Sequence, residues 1–255
     1  MMTQIELKNV DIKFRVHDLR NENLRSDIIR KLSFGLIEAP HQHKVSEVHA
    51  LKDISLNILA QERVGIIGLN GAGKTTMLQT IAGIYRPVSG TRRVSGRISA
   101  LYNIGVGFDV NASGYENIIL RSMFMGLSRK AAIDLIPEIE EFTELGEFLS
   151  MPIRIYSAGM QVKLAFAIST SVNPEILLMD EWIGAGDQLF REKAQNRLRD
   201  VVQKSSILVL TSHSESLVKD NCTKCILLHK GEIIEYTDTD HAFKTYHKMR
   251  SGNKS

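Results

Sequence analysis

Apolar residues follow two patterns along this chain, one alternating and one continuous. They alternate with polar residues over 5–14, which predicts a strand with one buried face, interpreted here as an edge strand. Continuous apolar runs lie within 174–180 and 206–211, and a β-branched run occupies 63–67. Such runs are typical of strands covered on both faces, as in a parallel sheet flanked by helices. A further strand is predicted over 50–58, just before the 63–67 run.

Helical periodicity separates these strands. It is found at 75–82, 129–149, 161–170 and 188–204, with Pro137 interrupting the second of these segments. Strands that alternate with helices predict an α/β fold with a mainly parallel sheet.

Two short apolar runs, 226–229 and 232–236, are joined by Lys230-Gly231. A two-residue connection containing glycine between such runs predicts a β-hairpin.

The segment 15–49 differs from the rest because it mixes basic and acidic residues. Its apolar residues between Leu24 and Leu32 have helical spacing, so we predict a short amphipathic helix followed by a loop. A solvated surface segment is the alternative interpretation.

Composition narrows the class of protein. The chain has 255 residues, 43% hydrophobic and 24% charged, which suits one large globular domain. A net charge of +3 is too small to indicate nucleic-acid binding, although it suits an anionic membrane surface. Its apolar runs fall short of the roughly 20 residues that a membrane span requires, and its N-terminus does not resemble a secretory signal. We therefore expect a cytosolic address.

Cys222 and Cys225 form a C-x-x-C pair. A structural zinc site requires about four ligands, and the sequence offers no second cysteine pair. We predict two reduced thiols at a helix-to-strand junction, with a metal or redox site as the alternative.

Residues 68–75, Gly-Leu-Asn-Gly-Ala-Gly-Lys-Thr, match the phosphate-loop pattern G-x-x-x-x-G-K-[ST]. A predicted strand precedes them and a predicted helix follows, as the pattern requires. Backbone N–H groups of such a loop surround an anion, and the helix N-terminus adds positive potential. Lys74 is predicted to reach the β- and γ-phosphates, and the Thr75 hydroxyl to bind Mg²⁺. The alternative is a glycine-rich turn that binds nothing.

An acidic pair, Asp180-Glu181, ends the predicted buried strand at 174–180. Ligands of open α/β sheets bind at the carboxyl ends of strands, so Asp180 is a candidate Mg²⁺ ligand. Glu181 is the candidate that orients or deprotonates water. His213 follows the next buried strand and is a candidate γ-phosphate contact, although a lone histidine is more often structural.

Tyr156-Ser157-Ala158-Gly159-Met160-Gln161 opens the helix predicted before that strand. Ser157 can cap the helix and Gly159 permits close backbone approach, which predicts a second anion-binding helix start. An ordinary capped helix is the alternative. One phosphate loop and two such helix starts suggest that the second binds a γ-phosphate held by another copy of the chain.

The order of these motifs resembles the nucleotide-binding subunit of an ABC transporter, and the resemblance covers nearly the whole chain. It implies a P-loop NTPase fold of the ABC type: a mainly parallel core sheet, an antiparallel β subdomain and a helical subdomain. A single domain over 1–255 is expected, with the helical subdomain at about 112–172 and a family-type insertion at about 15–49.

The same resemblance assigns roles to individual residues. Glu181 and His213 correspond to the catalytic glutamate and the switch histidine, Asp187 to the D-loop aspartate, and Phe14 to an aromatic that stacks on adenine. The expected nucleotide contacts are Asn70, Gly71, Ala72, Gly73, Lys74, Thr75 and Thr76. The expected signature contacts, made to the other copy's ATP, are Ser157, Ala158, Gly159 and Met160.

Several segments resemble one branch of that family, the ATP subunits of bacterial polysaccharide exporters. They are 50–55, 105–109, 114–118, 156–160 and 182–190. Three positions depart from the wider family. Phe108-Asp109 lies nearest to the usual Q-loop glutamine, Met160 replaces a signature glutamine, and Trp182 stands where many members have proline.

The resemblance implies an ATPase that uses ATP and Mg²⁺ and pairs head to tail with a second copy. It further implies an integral membrane permease as partner, a lipid-linked polysaccharide of the O-antigen type as cargo, and the cytoplasmic face of the bacterial inner membrane as location. Residues 113–128 and the 15–49 insertion are the candidate contacts with the permease or the lipid surface.

The sequence is also compatible with other functions. Capsule or teichoic acid is the alternative cargo. A soluble ABC-type ATPase acting on DNA or ribosomes is more distant, and so is a nucleotide-sensing regulator without enzymatic activity. We expect no nucleic-acid partner.

Overall fold

The computed structural model describes residues 2–17, 45–101, 108–180 and 188–252. The strands within these ranges are β1 (Gln4–His17), β2 (Val45–Leu59), β3 (Arg63–Ile67), β4 (Ser89–Ser95), β5 (Ile98–Leu101), β6 (Ile176–Asp180), β7 (Ile207–Thr211), β8 (Lys224–His229) and β9 (Glu232–Asp238). The α-helices are α1 (Lys74–Ala82), α2 (Gly114–Phe124), α3 (Arg129–Asp134), α4 (Ile136–Thr143), α5 (Ala158–Ser171), α6 (Gln188–Lys204), α7 (Glu215–Asn221) and α8 (Thr239–Gly252).

The larger sheet has the strand order β5-β6-β7-β3-β8-β9. Adjacent strands from β5 to β8 in this order are parallel, and β9 pairs antiparallel with β8 to form the predicted hairpin. The predicted mainly parallel sheet is therefore confirmed. Because β3, β6 and β7 are parallel neighbours, the residues that follow them meet at one edge of the sheet, where open α/β sheets bind ligands.

The smaller sheet is antiparallel, with the order β2-β1-β4. The predicted edge position of β1 is wrong, since β1 pairs with a strand on each side. Alternating polarity reports only that one face of a strand is covered and does not report how many neighbours it has. β1 continues to His17 and β2 begins at Val45, so both ends of the 15–49 segment prolong these strands. The amphipathic helix predicted in that segment lies outside the described residues.

Two apolar cores lie on opposite faces of the larger sheet. The first joins this sheet to the smaller one and to α1, through residues such as Ile5, Leu51 and Met77. The second joins it to α4, α5 and α6, through residues such as Phe142, Phe166 and Leu198. Burial on both faces explains why β6 and β7 are continuously apolar.

The elements described between β5 and β6 are helices, from α2 to α5. The helical stretch predicted over 129–149, with its interruption at Pro137, consists of α3, which ends at Asp134, α4, which ends at Thr143, and a 3₁₀ turn over Gly146–Ser150. Pro137 lies in the first turn of α4. Backbone N–H groups in a first turn have no partner within the helix, so the missing N–H of proline costs no hydrogen bond there.

Candidate functional site

The loop between β3 and α1 has the backbone that its glycines permit. Gly71 and Gly73 have φ values of 76° and 107°, which disfavour residues with a Cβ. A Cβ at Gly73 would also lie 2.9 Å from the Ala50 carbonyl oxygen of β2. Gly73 therefore permits both the left-handed turn and the close approach of β2 to the loop.

Lys74 is the first residue of α1, and its ammonium lies over the loop. Its Nζ donates to the carbonyl oxygens of Gly68 at 2.8 Å and Leu69 at 3.2 Å. A cation held there, beside the N-terminus of α1, makes this end of the helix strongly favourable for an anion.

Asp180 connects the loop to the neighbouring strands. Its Oδ2 accepts a hydrogen bond from the Thr75 hydroxyl at 2.9 Å, and its Oδ1 accepts one from the Thr211 hydroxyl. The pairing of β6 with β7 brings Thr211 beside Asp180. One carboxylate and two hydroxyls thus meet at the carboxyl edge of the sheet, as hard oxygen donors that fit Mg²⁺. In the described ranges no group of three or more His, Cys, Asp or Glu side chains could hold a metal ion.

A cavity of about 830 Å³ opens over the loop. All the predicted nucleotide contacts from Asn70 to Thr76 line it, and so do Asp180 and His213. The structure therefore brings these predicted residues together in one place. Glu181 and Asp187 lie outside the described residues.

Phe14 does not line this cavity, although β2 residues close to it do. Its ring packs edge-on against Tyr85, with a centroid distance of 4.8 Å and an interplanar angle of 72°. Val48, opposite Phe14 in the β1–β2 pairing, is a lining residue. The adenine-stacking role of Phe14 stays a prediction.

The signature segment has the predicted helix start, since the Ser157 hydroxyl accepts a hydrogen bond from Met160 N at 3.2 Å and caps α5. Buried Tyr156 anchors the preceding turn by donating to the Phe148 carbonyl at 2.6 Å. Ser157, Ala158 and Gly159 are exposed.

The signature residues face open space. A Cβ at Gly159 would have one neighbour within 4 Å, the Ser157 hydroxyl at 3.9 Å. No residue from Ser157 to Met160 is among the described residues that line the cavity. The packing of this chain therefore does not require glycine at 159, and the surface there is accessible to another molecule.

Asn117 is a structural residue of the site region that the sequence analysis did not identify. It is fully buried and accepts a hydrogen bond from Asp109 N at 2.9 Å. Its amide donates to the carbonyls of Asp109, Ala112 and Ser113 at 2.9, 3.2 and 2.9 Å. The available signal was an asparagine in the first turns of a helix, which is unfavourable unless its side chain bonds locally.

Backbone bonds connect the segment held by Asn117 to the signature turn. Ile153 N donates to Ala112 O at 3.0 Å, and Arg154 N donates to Val110 O at 2.9 Å. Gly114 N donates to Met151 O at 3.3 Å. The chain entering α2 and the chain entering α5 are therefore joined.

Cys222 and Cys225 are free thiols, both buried. Burial raises the pKa of each thiol to about 12, so both stay protonated at neutral pH. Metal binding and thiol exchange require the thiolate, which agrees with the prediction of two reduced thiols.

None of the helices in the described part of the chain is long and apolar enough to cross a membrane.

Comparison with known proteins gives matches over most of the chain. The model of the ABC transporter family matches residues 51–184. The O-antigen export system ATP-binding protein RfbE of Yersinia enterocolitica is 43% identical over 92% of this chain and 98% of its own length. The teichoic acids export ATP-binding protein TagH of Bacillus cereus is 35% identical over 95% of this chain, which spans only 42% of TagH.

Solved structures show the same fold. The dimeric structure of the ATP-binding cassette MJ0796 bound to ADP and Pi aligns with a TM-score of 0.66 at 21% identity, covering 92% of this chain and 98% of that one.

Proposed function

This chain belongs to the ABC transporter family as an ATP-hydrolysing subunit, and we propose that it powers polysaccharide export. The proposed cargo is a lipid-linked polysaccharide of the O-antigen type, which crosses the inner membrane through a separate transmembrane partner. The observation that carries this proposal is the 43% identity to RfbE, which extends over 98% of that protein. Capsule polysaccharide or teichoic acid is the alternative cargo, and the similarity to TagH favours the latter of these two.

The proposed chemistry is ATP hydrolysis at the carboxyl edge of the larger sheet. Thr75 and Asp180 would hold Mg²⁺, which supplies charge neutralisation to the phosphates when it is bound. Lys74 stabilises the β- and γ-phosphates, and Glu181 orients and deprotonates the attacking water. His213 contacts the γ-phosphate from the adjacent strand end. The cavity that Lys74, Thr75, Asp180 and His213 share supports these assignments.

We propose that the complete site requires two copies arranged head to tail. Ser157, Ala158, Gly159 and Met160 of one copy would then contact the ATP held on the loop of the other, with Asp187 at the same interface. The support is the exposed, capped start of α5 and the open space above Gly159. The N-terminus of α5 offers backbone N–H groups and a favourable dipole to a γ-phosphate. Closure on ATP and reopening after hydrolysis would transmit the chemical step to the partner.

The proposed assembly places the whole chain, as a single ABC ATPase domain, on the cytoplasmic face of the inner membrane. The helical subdomain at about 112–172 would face the permease, and the 15–49 insertion would lie near the permease or the lipid. Three apolar side chains of α2 support this arrangement, since Leu120, Met123 and Phe124 are 40%, 44% and 85% exposed. A face of this kind is typical of a protein–protein contact.

The proposal is tested by reconstituting the chain with its transmembrane partner, in vesicles containing lipid-linked polysaccharide. We expect ATP hydrolysis that cargo stimulates, and Glu181→Gln should lower the hydrolysis rate by at least about 100-fold. Phe124→Glu should leave ATP binding intact and abolish both co-purification with the permease and stimulation. Ile84→Glu, at an exposed apolar residue elsewhere, is the matched control. Cargo-independent hydrolysis, or co-purification with ribosomes or DNA instead, would contradict export.

A further inference from the structure

A second cavity, which we call the α6–α7 groove, lies between these two helices and has a volume of about 780 Å³. Gln195, Arg199 and Gln203 border it from α6, and Leu217 and Asp220 border it from α7. Residues three or four apart share one face of a helix, so each helix presents one side to the groove. The volume lies within the range of small-molecule sites, about 300–1,000 Å³.

The sides of the two helices that border the groove are mostly polar. Apolar side chains normally fill the space between helices that cover one face of a sheet. In the α6–α7 groove only Val202 and Leu217 are apolar among the ten described residues that line it. The core is closed beneath, since Val202 and Val218 are buried. The polar side chains above are therefore not needed to complete that core.

Two guanidinium groups border the α6–α7 groove. Arg63, the first residue of β3, is half-buried, and Arg199 is exposed. In the part of the chain that the structure describes, neither forms an ion pair, and Arg199 donates one long hydrogen bond, to Asn196 at 3.4 Å. A partly buried charge without a partner is unfavourable, and the guanidinium fork matches the oxygens of a phosphate. Two such groups balance a phosphate monoester, whose charge is about −1.5 to −2 at neutral pH.

The other polar side chains of the groove suit hydroxyl groups. The carboxamides of Gln195 and Gln203 each donate and accept, and the Asp220 carboxylate accepts. Within the described ranges no hydrogen bond occupies these three side chains. The Asn221 amide donates to Leu217 O at 2.9 Å, which leaves the side-chain oxygen of Asn221 as a further acceptor. Sugar hydroxyls, which both donate and accept, match this mixed set.

We propose that the α6–α7 groove binds a phosphorylated sugar. Arg63 and Arg199 take the phosphate, and Gln195, Gln203 and Asp220 take the hydroxyls. This site is separate from the ATP cavity, because the described residues that line the two have no member in common. The chain would thus respond to a soluble sugar phosphate in addition to the nucleotide that it hydrolyses.

The groove touches the turn that carries His213. Ser214, the next residue, lines the groove, whereas His213 lines the ATP cavity. Ser214 N donates to the Ser212 hydroxyl at 3.0 Å, and the Ser214 hydroxyl accepts from Leu217 N at 3.4 Å. A ligand held against Ser214 and α7 therefore acts on the position of His213. This coupling, unlike the binding itself, rests on the proposed function.

Calorimetric titration of the full chain tests the binding. The chain is kept saturated with ADP, so that the phosphate loop is occupied, and is titrated with inorganic phosphate, glucose, and the 1-phosphates of glucose, galactose and mannose. We expect at least one hexose 1-phosphate to bind at least about tenfold more tightly than inorganic phosphate, and glucose not to bind. Absence of binding across the three hexose 1-phosphates, or equal affinity for inorganic phosphate, would overturn the proposal.

Substitutions locate the bound ligand. Arg63→Gln and Arg199→Gln should each weaken the hexose phosphate by about tenfold, because each removes a charge-assisted hydrogen bond. Arg199 is exposed, so this variant remains informative if Arg63→Gln does not fold. Arg191→Gln is the matched control, because Arg191 is exposed on the same helix and does not line the groove. Unchanged affinity in Arg199→Gln, or an equal loss in Arg191→Gln, would place the ligand elsewhere and refute the site.

Steady-state hydrolysis tests the coupling to His213. A saturating hexose 1-phosphate should change the kcat of ATP hydrolysis by at least about fivefold, and should leave the KM for ATP within about twofold. A raised KM at constant kcat would show competition in the ATP cavity and would overturn the coupling. A wild-type chain that binds no ADP and hydrolyses no ATP would overturn the proposed function, while the titration would still decide whether the groove binds a sugar phosphate.

Discussion

Asn117 holds the backbone that leads from the larger sheet into the helices. Its amide uses both donor hydrogens and its oxygen within the chain, with no exposure to solvent. The capping box of α2 was visible in the sequence because Ser113 and Glu116 are three residues apart. The hydrogen-bond partners of Asn117 could not be predicted from the sequence, since they depend on how the loop at 109–113 folds against the start of α2.

Asn117→Ala is expected to lower the stability of the chain. It leaves buried backbone groups without partners, which costs about 2–3 kcal/mol and lowers Tm by roughly 4–12 °C for a domain of this size. Calorimetry of the purified variant measures this. Asn111→Ala is the control, because Asn111 is exposed and its side-chain oxygen accepts one long hydrogen bond, from Arg154 at 3.3 Å. Equal Tm values for the two variants would contradict the role given to Asn117.

The two buried thiols predict a pH dependence. Their folded-state pKa is raised to about 12, so the folded chain retains protons that the unfolded chain releases above about pH 8.5. Stability is therefore fully present below that pH and falls as pH rises.

Between pH 8 and pH 10 the wild-type chain should lose about 1–2 kcal/mol per thiol more than a variant carrying Cys222→Ala and Cys225→Ala. Urea unfolding at several pH values gives the comparison. Parallel pH profiles would show that these thiols ionise equally in the folded and unfolded chains.

Elements with a local signal could be predicted, and elements that depend on distant contacts could not. Ser157 ahead of α5 and the apolar runs of β6 and β7 are local features, and the structure has them where the sequence indicates. α7 and α8 were not predicted, because α7 has only 7 residues, fewer than helical periodicity needs to be recognised, and α8 follows β9 without a break. The central position of β1 depends on β4, some 80 residues away.

Gly114 and Gly159, each at the start of a helix, differ in how closely the rest of the chain packs around them. Substituting alanine at each distinguishes packing within the chain from the proposed contact with a second copy. A Cβ at Gly114 would lie 2.4 Å from the Tyr156 hydroxyl and 3.0 Å from Leu149 Cα. Gly114→Ala must therefore displace the turn that carries the signature, and its Tm should fall by several degrees, as about 1–3 kcal/mol is typical of overpacking.

Gly159→Ala meets no such obstacle, so its Tm should equal that of the wild type. Its ATP hydrolysis should nevertheless fall by at least about tenfold, because the added methyl group blocks the approach of the second copy. Thermal unfolding and steady-state hydrolysis of both variants make the test. Full activity in Gly159→Ala would contradict a close contact at this position.

At the scale of the whole molecule, the proposed site is divided between two different surfaces of the chain. The loop, Asp180 and His213 share a cavity at the carboxyl edge of the larger sheet, and the start of α5 lies outside it. The sequence predicted both halves because each is a short local motif. The part of the cavity lined by β2 could not be predicted from the sequence. β2 reaches the loop through its pairing with β1, which includes a β-bulge.

Mixing two inactive variants tests most directly whether the site is shared between copies. Lys74→Ala disables the loop, and Ser157→Asp keeps a helix cap while placing a negative charge against the γ-phosphate. Each variant alone should be inactive. Mixed equally, they should recover about a quarter of the wild-type ATPase rate, because half of the dimers are mixed and one of their two sites is intact. No recovery in a mixture that contains mixed dimers would contradict the shared site.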